Sequence, residues 1–98
     1  MIEDTEKTIM LVDDSPILLR NLKGILDRKY TVLLTTSGRE ALGAIPAKEP
    51  DLVVLDYKMP DLDGKAVFEK MQQDEYVKNI PVIFLTSVAD RKSIETIL

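Results

Sequence analysis

Ile9-Met10-Leu11-Val12-Asp13-Asp14-Ser15-Pro16 is the stretch that decides the fold: four apolar residues in a row, two acids, then a hydroxyl residue ahead of a proline. An apolar run without alternation reads as a strand buried on both faces, as strands of parallel sheets are. Ser15 is suited to cap a helix, and Pro16 to its first position, where a missing N–H costs nothing. Leu18, Leu22 and Ile25 follow at spacings of four and three. That spacing predicts a helix over about 16–28, in which Gly24 costs on the order of 1 kcal/mol relative to alanine.

Working outward, the same pattern returns along the chain. Thr31–Thr36 is rich in β-branched residues and reads as a second strand, after which Ser37 and Glu40 supply the two residues of a capping box. A short helix is expected to run to about Ile45 and to stop before Pro46, with 46–50 serving as a turn. Leu52–Leu55 is another four-residue apolar run, closed by Asp56. Asp63 is placed to cap a helix through about Gln73 that buries Val67 and Met71, Pro81 opens a fourth strand at Val82–Leu85, and Asp90 caps a last helix. The order βαβαβαβα with right-handed crossovers gives an α/β fold: a doubly wound parallel sheet with helices on both faces.

Composition narrows the chemistry. At 98 residues, 45% hydrophobic and 31% charged, with no Pro, Gly or Ser linker and no internal repeat, the chain reads as one domain. Lys and Arg total 13 against 17 Asp and Glu, a net charge of −4 that argues against direct binding to nucleic acid. There is no cysteine and no histidine. This excludes disulfides, thiolate or imidazole metal sites, and Cys/His or Ser/His nucleophiles, so any chemistry runs on carboxylates, hydroxyls and amines. The start MIEDTEKT has no cationic or apolar leader pattern, and no apolar stretch approaches the roughly 20 residues that span a bilayer. A cytoplasmic protein without a membrane partner is expected.

In open parallel sheets the ligand crevice lies beyond the carboxyl ends of the strands. Asp13 and Asp14 end the first strand, Asp56 the third and Thr86 the fourth, so these side chains converge on one sheet edge. A lone Asp after a strand is more often a turn former or a helix cap, and Asp14 or Thr86 taken singly has such a reading. Three clustered acids without a basic neighbour in sequence are different, because they repel one another unless a cation sits among them. An all-oxygen donor set suits Mg²⁺ or Mn²⁺. A carboxylate beside such an ion can attack phosphorus, and Asp56 is the candidate nucleophile, with the Thr86 hydroxyl and nearby backbone N–H groups as donors to the phosphoryl oxygens. Asp61-Leu62-Asp63-Gly64 reads instead as turn and cap chemistry, since the remaining spacing of a calcium loop is absent.

The stretches 9–15, Leu55-Asp56-Tyr57-Lys58-Met59-Pro60-Asp61-Leu62-Asp63-Gly64 and Ile80-Pro81-Val82-Ile83-Phe84-Leu85-Thr86 resemble the three successive motifs of response-regulator receiver domains of two-component signalling. The resemblance runs from Thr8 to Leu98. It implies a flavodoxin-like sheet of order 2-1-3-4-5 and phosphorylation of Asp56 by the phosphohistidine of a sensor histidine kinase or histidine phosphotransfer protein. Asp14 and Asp56 would bind Mg²⁺ directly, Asp13 through water, and the Lys58 carbonyl would complete the set. The domain would be a phosphoacceptor with only self-catalysed phosphorylation and dephosphorylation. Ser87 would leave access to Asp56, while Lys58 and Val88 stand where the family tunes phosphoryl lifetime.

The family also carries a lysine at the end of a fifth strand and an aromatic residue earlier on it. On this reading residues 1–98 form a single receiver domain that is incomplete at its C-terminus, of order 2-1-3-4-(5), without the fifth strand and helix. Its exposed fourth strand or last helix is then expected to pair in a homodimer. Two alternatives stand beside this one: a receiver-like binding module without a working phosphoryl switch, and a haloacid-dehalogenase-type phosphohydrolase. The latter wants a second Asp two places after the nucleophile, where this chain has Lys58.

Overall fold

The structure is a computed structural model that describes residues 6–85. Four strands, β1 (Thr8–Val12), β2 (Thr31–Thr35), β3 (Leu52–Asp56) and β4 (Val82–Leu85), alternate with three helices, α1 (Pro16–Leu26), α2 (Gly38–Lys48) and α3 (Gly64–Gln72). All strand pairs are parallel and the sheet order is β2-β1-β3-β4, as the resemblance implied. The expected last helix from Asp90 lies outside the described residues.

Unbroken apolar runs put β1 between two cores. Met10 and Val12 face one side, packing with Val53 and Leu55 of β3 and with Ala41, Ile45, Val67 and Met71 of α2 and α3. Ile9 and Leu11 face the other, against Leu19 of α1 and Val32 of β2. This strand is buried throughout Ile9–Val12, which is why its sequence shows no alternation. Toward the edge the cover thins: Ile83 of β4 is 52% exposed, and no described residue lies outside β4.

The helix starts obey local rules. Ser15 caps α1 by accepting from Leu18 N–H, with Pro16 just inside, and Asp63 caps α3 by accepting from Ala66 N–H. Three boundaries differ from the sequence reading. Strand β2 ends at Thr35, because the Thr36 N–H leaves the ladder and donates to Glu40 Oε1 at 2.8 Å. In this capping box Ser37 Oγ accepts from Glu40 N–H, while the Glu40 carboxylate reaches one residue further back than the usual form. Helix α1 stops at Leu26, whose carbonyl takes both Lys29 N–H and Tyr30 N–H and so turns the chain into β2.

The largest correction concerns Pro46, which lies inside α2 and does not end it. It sits in the last turn and forfeits a single internal hydrogen bond, while Ile45, fully buried just before it, anchors that end of the helix on the core. The stop comes at Glu49, with φ 48°, a left-handed cap whose N–H bonds to Ile45 O at 2.9 Å.

Gly24 has open space where a Cβ would stand. Replacing it by alanine should therefore add about 0.5–1 kcal/mol of stability through helix propensity and a less flexible unfolded chain. Chemical denaturation of Gly24→Ala checks this, and an unchanged or lower midpoint counts against α1 as placed.

Candidate functional site

The carboxyl ends of β1 and β3 are neighbours in the sheet, with Val12 paired to Leu55. Each apolar run therefore delivers its terminal acids to one spot. Asp13, Asp14 and Asp56 each offer a carboxylate oxygen, and these oxygens all lie within 4.8 Å of one another. The three side chains grade from inside to outside: Asp13 is buried, Asp56 is partly buried and Asp14 is exposed.

Asp13 is fixed from two sides. Its N–H donates to Thr35 O at 3.2 Å, tying β1 to the end of β2, and its Oδ1 accepts from Ser15 N–H at 2.8 Å. Burial raises its pKa above the ordinary 3.8, the Ser15 N–H opposes that, and the adjacent Asp14 raises it further through charge repulsion and a side-chain hydrogen bond. A buried acid pushed upward beside two others is a site short of positive charge. An all-oxygen donor set at this spacing fits Mg²⁺.

Asp56 closes β3 and begins a loop that turns back over it. Lys58 N–H donates to Asp56 Oδ1 at 3.3 Å, and Gly64 N–H closes the loop onto Tyr57 O at 3.0 Å. The turn is so tight that a Cβ on Gly64 would stand 2.3 Å from Asp56 O, so only glycine fits. The sequence marks Asp63-Gly64 as cap and turn, which is correct for Asp63. It gives no hint that Gly64 rests on the carbonyl of the acid itself, because that approach depends on where α3 packs. On the side toward β4, the Tyr57 ring meets Phe84 edge-on at 5.6 Å between centroids, and Phe84 meets Phe68 of α3 at 5.7 Å.

Of the residues singled out in the sequence, Asp13, Asp14 and Asp56 come together, and Lys58 is an exposed residue of the loop that begins at Asp56. Thr86, Ser87 and Val88 lie outside the described residues. Asp63 serves as the α3 cap. Asp61 does not join the acid cluster; its Oδ2 accepts from Arg39 Nε at 3.1 Å.

Comparison with known proteins agrees with this geometry. A protein-glutamate methylesterase/protein-glutamine glutaminase of Trichodesmium erythraeum is 36% identical over 92 residues, which is 91% of this chain but 26% of that protein. The chain thus spans about a quarter of that relative's length. The polar-differentiation response regulator DivK of Brucella ovis is 31% identical over 84 residues, covering 85% of this chain and 68% of DivK. Among solved structures, the receiver domain of a sensor histidine kinase from Pseudomonas aeruginosa PAO1 superposes with a TM-score of 0.83 at 26% identity, over 93% of this chain and 75% of that one. That structure has a magnesium ion coordinated in its active-site cleft. The family model described as the response regulator receiver domain matches residues 9–98, and the chain belongs to that family.

Proposed function

We propose that the chain acts as the phosphoacceptor of a two-component phosphorelay. In this reading Asp56 takes a phosphoryl group from the phosphohistidine of a sensor histidine kinase or histidine phosphotransfer protein. The observation that carries it is the convergence of Asp13, Asp14 and Asp56 within 4.8 Å at the carboxyl ends of β1 and β3. Mg²⁺ would be held by Asp13, Asp14, Asp56 and the backbone carbonyl of Lys58. When bound, it supplies the positive charge that offsets the phosphoryl oxygens. The relative with magnesium in its cleft supports that choice of ion.

The step asked of this chain is a displacement at phosphorus. A carboxylate oxygen of Asp56 forms the new O–P bond, the donor's N–P bond breaks, and the imidazole leaves with the electron pair. An acyl phosphate on Asp56 is the product. The Lys58 N–H, at 3.3 Å from Asp56 Oδ1, restrains the carboxylate that would attack. Thr86, the residue after β4, would donate its hydroxyl to a phosphoryl oxygen. This is a signalling domain and not an enzyme of turnover. No helix among the described residues is long and apolar enough to cross a membrane.

The assignment of Asp56 is tested with acetyl phosphate and Mg²⁺. Wild type should gain one phosphoryl mass, and Asp56→Asn, which keeps the shape but lacks the nucleophile, should gain none. Equal labelling of the two chains would place the acceptor elsewhere.

The acid cluster also predicts a pH effect in the metal-free chain. Because the pKa of Asp13 is raised by folding, its stabilising contribution is present below the ordinary value of 3.8 and is lost as pH rises through the folded value. At neutral pH the buried charge therefore works against the fold. Asp13→Asn, which keeps the acceptor for Ser15 N–H, should melt a few degrees higher than wild type at pH 7 without Mg²⁺, and the gain should shrink as the pH falls through the raised folded value and be lost below 3.8. A lower melting point for the variant at pH 7 contradicts the strained cluster.

A further inference from the structure

The loop from Tyr57 to Asp63 carries an N–H that restrains the Asp56 carboxylate, so a shift of the loop bears on the acid. Met59 and Leu62 seat it in the core. Between them Pro60 and Asp61 form an exposed crest, and the start of α2 reaches across to it. Arg39 Nε donates to Asp61 Oδ2 at 3.1 Å, joining positions 22 residues apart in sequence. One residue earlier, Gly38 lies so close to the loop that a Cβ there would stand 2.3 Å from Leu62 O.

The other end of the same short segment is fixed to β1. Asp13 N–H donates to Thr35 O at 3.2 Å, and Thr36 N–H is held by Glu40 Oε1 at 2.8 Å. Residues 35–39 thus bear on both places from which the acids come, the end of β1 and the loop after β3.

We propose that this segment braces the acid cluster and that Arg39 is a positioning residue: its ion pair with Asp61 keeps the loop, and with it the Asp56 carboxylate, at the separation from Asp13 that a divalent cation requires. The inference rests on the reading of the cluster as a cation site. Its effect on folding itself is small, because the paired side chains are 77% and 46% exposed and such pairs stabilise a fold weakly. A general field effect on the cation is distinguishable by sign. Removing the negative charge of Asp61 weakens cation binding by Coulomb's law, whereas removing the positive charge of Arg39 strengthens it. The brace weakens binding in both cases.

Calorimetric titration of the full 98-residue chain with Mg²⁺ tests this on wild type, Arg39→Gln, Asp61→Asn, the double variant and Arg39→Lys. Each of the two neutral single variants should bind Mg²⁺ about two- to fivefold more weakly, the range open to an exposed ion pair. The double variant should bind no more weakly than either single one, since both remove the same contact. Arg39→Lys keeps the charge and a donor and should recover at least half of the loss, while melting points stay within a few degrees of wild type. Tighter binding by Arg39→Gln, or losses that add in the double variant, overturns the brace. Wild-type binding that every variant matches also overturns it and leaves the cation site standing. A folded wild type that takes up no Mg²⁺ overturns the cation site and the brace together.

Discussion

The crowding of three carboxylates at one sheet edge, one of them buried, is the constraint around which this molecule is arranged. Asp13, Asp14 and Asp56 bring oxygens within 4.8 Å of one another, and Asp13 does so while buried. The sheet holds them together, since Asp13 and Asp14 follow β1 and Asp56 ends β3, two hydrogen-bonded strands whose apolar bodies fill the core. The hydrophobic burial of β1 and β3 supplies the free energy that holds the acids in place. On the proposed reading a cation would turn that cost into binding, which would link the fold to the chemistry of a receiver domain.

The surrounding structure serves that arrangement through backbone contacts more than through side chains. Gly64 lets α3 begin directly over Asp56 O, and Gly38 lets α2 begin against Leu62 O. Asp13 is held by Thr35 O and Ser15 N–H. These contacts are short and made by main-chain atoms, which cannot yield as long side chains do. The site is therefore positioned before any ligand arrives, as preorganised electrostatic sites generally are.

How much of this the sequence discloses depends on how local each signal is. The four-residue apolar runs ending in Asp13 and Asp56, the cap and proline at Ser15-Pro16, and the cap at Asp63 each state their role within a few residues, and the structure agrees with all of them. Convergence of the acids follows from parallel topology, so it too is legible. Pro46 misleads because a proline in the last turn of a helix removes only one bond, and the burial of Ile45 decides where α2 runs. Thr36 leaves β2 because Glu40 claims its N–H. The approach of Gly64 to Asp56, the seat of Gly38 and the Arg39–Asp61 pair leave no mark in the sequence, since each joins segments whose distance is set only once α2 and α3 have packed on one face.

The account stands on the claim that the acid cluster is a cation site, and thermal unfolding with and without Mg²⁺ tests that claim most directly. A ligand that binds only the native chain adds RT ln(1 + [L]/Kd), about 2.7 kcal/mol at one hundred times the dissociation constant. Wild type should melt progressively higher as Mg²⁺ is raised into the millimolar range, and Asp14→Ala, which removes the exposed member of the cluster, should lose most of that response. A folded wild type whose melting point ignores Mg²⁺, or an Asp14→Ala chain that responds as strongly as wild type, contradicts it.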